Sequence, residues 1–181
     1  MKDEDLIRHA YDQVVNYGAR LFSFASGRPL KSDGPLDNRQ KLLALDDLAA
    51  FAYHARRLMD LTGTKERFLQ QEIPGKTQGK NAIGISRILN VIVHSERIEI
   101  LRTEFDAALL GSSVNEVMEL LVNNSAMAEK LIPVTVIIKS DHSDHMTFKL
   151  EDLIERFQEK ILARIIEVCD KAKIYLDADD Y

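Results

Sequence analysis

Apolar residues recur every three or four positions along several stretches of this chain and every second position along a few short ones. Between Asp3 and Phe24, Leu6, Ile7, Ala10, Tyr11, Val14, Val15, Tyr17 and Leu21 keep the helical period, with Asp3, Glu4 and Asp5 at the positive end of the dipole. This predicts an amphipathic helix. Residues 25–41 have no period and hold two glycines and two prolines, so a long polar loop is expected there. Asp46 is placed to cap a second helix carrying Leu48, Phe51, Ala55, Leu58 and Met59 and ending at Thr62-Gly63. A short helix from Thr64 to Glu72 and a loop from Ile73 to Lys80 follow. Arg97–Leu101 reads as a strand, and Ser113 with Glu116 forms a capping box for a further helix. Ile132–Lys139 and Met146–Leu150 read as two strands of a hairpin. From Glu151 to Lys173, Leu153, Ile154, Phe157, Ile161, Leu162, Ile165, Val168 and Ala172 form the stripe of a long helix.

The predicted architecture is therefore mostly α, a helical bundle with a small antiparallel β-hairpin inserted before the C-terminal helix. It spans residues 1–181 as a single domain, with an acidic tail at 177–181 expected to fray. Composition agrees: 181 residues suit one domain, and 8 Gly with 4 Pro are too few for a turn-rich all-β chain. No apolar run approaches the ~20 residues of a membrane span, and the acidic start is unlike a secretory signal. The lack of such a run implies no membrane partner, and the single Cys169 cannot form an internal disulfide, so a reducing cytoplasm is expected.

The formal charge of −5 argues against nucleic acid as a partner until it is resolved along the chain. Residues 39–102 carry 11 basic and 7 acidic side chains, whereas residues 103–181 carry 8 and 16. The middle third is thus basic, and Arg56, Arg57 and Lys80 within it are the candidate nucleic-acid-binding residues.

Three patterns of possible chemistry read more simply as structure. Gly75-Lys76-Thr77 imitates the end of a phosphate-binding loop, but the required earlier glycine is replaced by Gln70. Asp141, His142, Asp144 and His145 crowd four possible metal ligands together, yet a polar turn accounts for them, and no metal or cofactor is expected. Cys169 sits on the helical stripe next to Val168 and reads as a core residue rather than a nucleophile.

The segment Ser86–Ser95 is the informative one. Its β-branched residues favour a strand, while Ser86 as a cap and the polar spacing favour a helix, the preferred reading. On a helix, Arg87, Asn90 and His94 share one face, bringing together a permanent cation, an amide and an imidazole. These groups suit metal-free cleavage of RNA, which needs a base for the 2′-hydroxyl and positive charge for the developing phosphorane. On a strand, Arg87 and His94 would point to opposite sides.

The arginine followed after six residues by a histidine, Arg87 to His94, resembles the signature of the HEPN superfamily, and Phe51–Asp60 resembles the helix that precedes that signature. The resemblance implies a helical domain in which Arg87 and His94 are catalytic and Asn90 supports them. It also implies a metal-independent RNA-cleaving or RNA-binding component of a defence or toxin system, and a homodimer whose RNA cleft uses two copies of the signature helix. The alternative is a non-catalytic helical interaction or dimerisation module.

Overall fold

The computed structural model describes residues 2–27, 35–77, 79–95, 97–101, 134–139 and 145–176. Helix α1 (Lys2–Ser26) and helix α2 (Pro35–Leu61) lie side by side in opposite directions, with Gly18 against the Phe51 ring, Arg20 paired to Asp47 and His9 beside His54. The buried face of α1 is Ile7, Ala10, Val14 and Leu21; that of α2 is Ala44, Leu48, Phe51, Ala55 and Leu58. Proline opens α2 because its fixed φ suits a first turn whose N–H groups have no intrahelical partner. Asp46 therefore lies inside the helix rather than capping it, and of the expected loop over residues 25–41, residues 25–26 and 35–41 are helical, while residues 28–34 lie outside the described ones.

After a 3-10 turn at Lys65–Phe68, in place of the expected longer helix, come strands β1 (Glu72–Thr77) and β2 (Lys80–Gly84), helix α3 (Ile85–His94) and strand β3 (Arg97–Leu101). Strands β4 (Thr135–Lys139) and β5 (Met146–Lys149) precede helix α4 (Leu150–Arg156), which continues through a π-helical segment (Phe157–Leu162) into α5 (Ala163–Lys171). The mostly α class is what the pattern predicts. The isolated hairpin is not: β4 and β5 belong to a five-stranded antiparallel sheet of order β2-β1-β5-β4-β3.

The expected loop at Ile73–Lys80 is the source of that difference. Pro74, Gly75 and Gly79 look like loop residues, but Pro74 pairs with Ala82 in a hairpin whose register shifts between Pro74 and Thr77, and Gly75 is enclosed. A Cβ on Gly75 would come within 2.8 Å of both Ile83 Cδ1 and the Thr147 carbonyl oxygen, so glycine here permits the close approach of β1 to β2 and β5. Gly79, at φ +70°, turns the hairpin.

One face of the sheet is apolar. Ile73, Ile83, Ile100, Val136, Ile138, Met146 and Phe148 are all buried, alternating along their strands with more exposed residues. They form one core with the helices, in which Phe51 of α2 meets Phe157 edge to face at a centroid distance of 5.1 Å. In an α-helix, residues four apart drift about 40° round the axis per step. The wider π-helical turn counters that drift, so Phe157, Ile161, Ile165 and Cys169 all remain buried. The stripe accordingly ends on Cys169, with Ala172 exposed. The capping-box segment at Ser113–Leu121 and the tail at 177–181 lie outside the described residues, and among the described residues no helix is long and apolar enough to cross a membrane.

Candidate nucleic-acid site on helices α2 and α3

Strand β2 passes into α3 at Gly84 without a loop, and the Ile85 amide donates to the Gln71 carbonyl at 2.8 Å, fixing where the helix begins. Ser86 is thus inside the helix and makes no cap; its hydroxyl oxygen is buried without a hydrogen-bond partner. Burial of Ile85, Ile88, Leu89 and Ile92 decides the conformation, because only a helix places these four on one side. The modest intrinsic cost of β-branched residues in a helix is small beside burying three isoleucines and a leucine, each worth about 1.5–3 kcal/mol. Arg87, Asn90 and His94 are then all exposed on the opposite side, as predicted for a helix, with Arg87 and His94 two turns or about 10 Å apart.

His94, the last residue of α3, reaches α2. Arg56 Nη1 lies 3.3 Å from His94 Nε2. A guanidinium only donates, so Nε2 accepts and the imidazole proton in this arrangement sits on Nδ1. The two side chains border a cavity of about 520 Å³ lined by Tyr53, Arg56, Arg57, Asp60, Leu61, Val93 and His94. Leu61 and Val93 make its apolar part and the two arginines its positive part. Arg57 donates to the Tyr53 hydroxyl at 3.3 Å, while Asp60 is engaged by Lys65 at 3.2 Å.

Behind this rim, between α1 and α2, lies a ring cluster centred on His54. His9 and Tyr53 meet it edge-on, at 5.9 and 5.1 Å, and Tyr17 lies nearly parallel to it at 6.0 Å. His54 Nδ1 is buried without a hydrogen-bond partner. Burial first, then the nearby His9 and Arg57 charges, hold the His54 pKa below its ordinary value. Arg20 stacks on Tyr17 at 5.3 Å and pairs with the buried Asp47 at 2.7 Å. Burial nonetheless raises the Asp47 pKa, because desolvation of the carboxylate exceeds the opposing effect of Arg20.

The sequence-predicted residues are thus partly gathered. Arg56, Arg57 and His94 share one cavity wall; Arg87 and Asn90 continue the same exposed face of α3. Lys80 does not join them: it opens β2 and is not among the lining residues, a consequence of the unforeseen strand pair. Sequence reasoning missed Tyr53 and Asp60, whose signal was their spacing of three, four and seven from each other and from Arg56 and Arg57 along one helix. Gly75-Lys76-Thr77 is strand, not a loop leading into a helix, so it forms no phosphate cradle. Asp141, His142 and Asp144 lie outside the described residues, and His145 is exposed before β5. Cys169 is buried, with its thiol pKa raised by that burial and secondarily by Asp170, as fits a core residue. In comparisons with known proteins the chain matches no family model, no curated protein and no solved structure.

Proposed function

We propose that this protein is a HEPN-like RNA-binding and RNA-cleaving domain, acting as a component of a defence or toxin system. The observation that carries the reading is one exposed helix face bearing Arg87, Asn90 and His94, with His94 held at the edge of a cavity that also presents Arg56 and Arg57. His94 Nε2 takes the 2′-hydroxyl proton, the 2′-oxygen bonds to phosphorus, and the bond to the 5′-oxygen breaks, that oxygen leaving with a proton from solvent. Arg87 stabilises the charge on the phosphorane and Asn90 orients the phosphate. Arg56 occupies the His94 lone pair in the free protein and is drawn from it by the incoming phosphate.

The test is incubation of the pure protein with RNA in EDTA, which should yield 2′,3′-cyclic phosphate ends. His94→Ala and Arg87→Ala should each abolish the products while the exposed positions leave the melting curve nearly unchanged. Strict dependence on added Mg or Mn, or activity that survives both substitutions, overturns the reading. A second reading, a homodimeric interaction module, has its own support in Leu36, Leu42 and Leu43, which are 72%, 54% and 43% exposed on α2. Light scattering that gives a dimer, together with no cleavage at any RNA concentration, would favour it.

A further inference from the structure

We infer that Tyr53 is a stacking platform for one unpaired nucleobase, making the cavity between α2 and α3 a nucleobase subsite beside the cleavage site. This rests on the RNA-cleaving reading above and adds to it where a base sits.

Four observations lead to it. Tyr53 is 49% exposed and lines the cavity, so its ring is accessible to a ligand there. The ring is held from two sides, edge-on by His54 and at its hydroxyl by Arg57, so little rotamer freedom remains to be lost when a ligand lies on it. The other aromatic nearby, Tyr17, is already covered by the Arg20 guanidinium and the parallel His54 ring. Finally, the cavity is of ordinary small-ligand size and mixes an apolar part, Leu61 and Val93, with two guanidinium groups. A flat apolar body carrying an adjacent anion fits that mixture: the base lies against Tyr53 and the flanking phosphate meets Arg56 or Arg57. A paired base keeps its faces inside the duplex stack, so only an unpaired one reaches the ring.

The same placement couples binding to chemistry. Arg56 is both the donor to His94 Nε2 and a cavity-lining cation, so a phosphate that anchors the stacked nucleotide also frees the imidazole nitrogen.

The test uses a 2′-O-methyl RNA decamer, which lacks the attacking hydroxyl and stays intact, with 2-aminopurine stepped through its positions. Wild type and Tyr53→Phe should quench the probe, and Tyr53→Leu should not. Tyr53→Leu should also weaken binding about tenfold by anisotropy, the size of one lost base stack. An unquenched probe at every position, or Tyr53→Leu binding within twofold of wild type, overturns the subsite. If cleavage dependent on Arg87 and His94 persists in that case, the RNA-cleaving reading stands alone. A wild-type protein that neither binds the decamer nor cleaves RNA refutes both.

Discussion

Phe157→Ala is expected to cost this domain a large part of its stability. The side chain is 1% exposed and lies edge to face with Phe51, itself 1% exposed, at 5.1 Å, so truncation leaves a cavity in the middle of the core. Buried Phe→Ala changes typically cost about 3–5 kcal/mol, and an aromatic pair contributes roughly 0.5–1.5 kcal/mol of that beyond area. Against a total of about 5–15 kcal/mol for a natural domain, this lowers Tm by roughly 6–20 °C for a chain of this length. The site depends on the same packing, because Phe51 and Arg56 are on one helix and a displaced α2 moves the cavity wall. Urea and thermal unfolding followed by circular dichroism give the magnitude. A double-mutant cycle with Phe51→Leu isolates the ring pair, expected at about 0.5–1.5 kcal/mol. Lys160, exposed in the same π-helical segment, is the control, and Lys160→Ala should stay within about 0.5 kcal/mol. A Phe157→Ala protein within about 1 kcal/mol of wild type would refute the placement of the core.

Gly75→Ala should destabilise by about 1–3 kcal/mol in urea unfolding, since the Thr147 carbonyl cannot move as the Ile83 side chain can; an unchanged midpoint would contradict the pairing of β1 with β5. His54 binds its proton less readily folded than unfolded, so stability is full above its ordinary value of 6.5 and falls as pH drops below it. His54→Phe should flatten that part of the stability–pH profile, and an equally steep profile would place the titration elsewhere. Arg56→Ala with Arg57→Ala should weaken RNA binding and reduce its salt slope by about 0.7 for each phosphate that is no longer neutralised. Lys80→Ala alone should do less, and the reverse order in a salt titration would move the interface to the β1–β2 hairpin.

Where burial and local period coincide, the sequence suffices. Helix α1, the C-terminal helix and α3 each carry a seam of apolar residues that only a helix can bury on one side, and with α3 came the shared face of Arg87, Asn90 and His94. The role of 72–84 was not legible: Pro74, Gly75 and Gly79 carry turn chemistry, and the strand state of this segment depends on pairing with β5, far along the chain. A loop glycine and a glycine that lets two strands approach look identical until both neighbours are in place. The same holds for the start of α2, where Asp46 is a plausible cap locally but lies inside a helix that runs from Pro35. The cavity, too, is tertiary. Tyr53, Arg56 and Arg57 are surface residues of an isolated helix, and it is the packing of α3 against α2, driven by Ile85, Ile88, Leu89 and Ile92, that brings His94 to Arg56 and forms the open cavity they border.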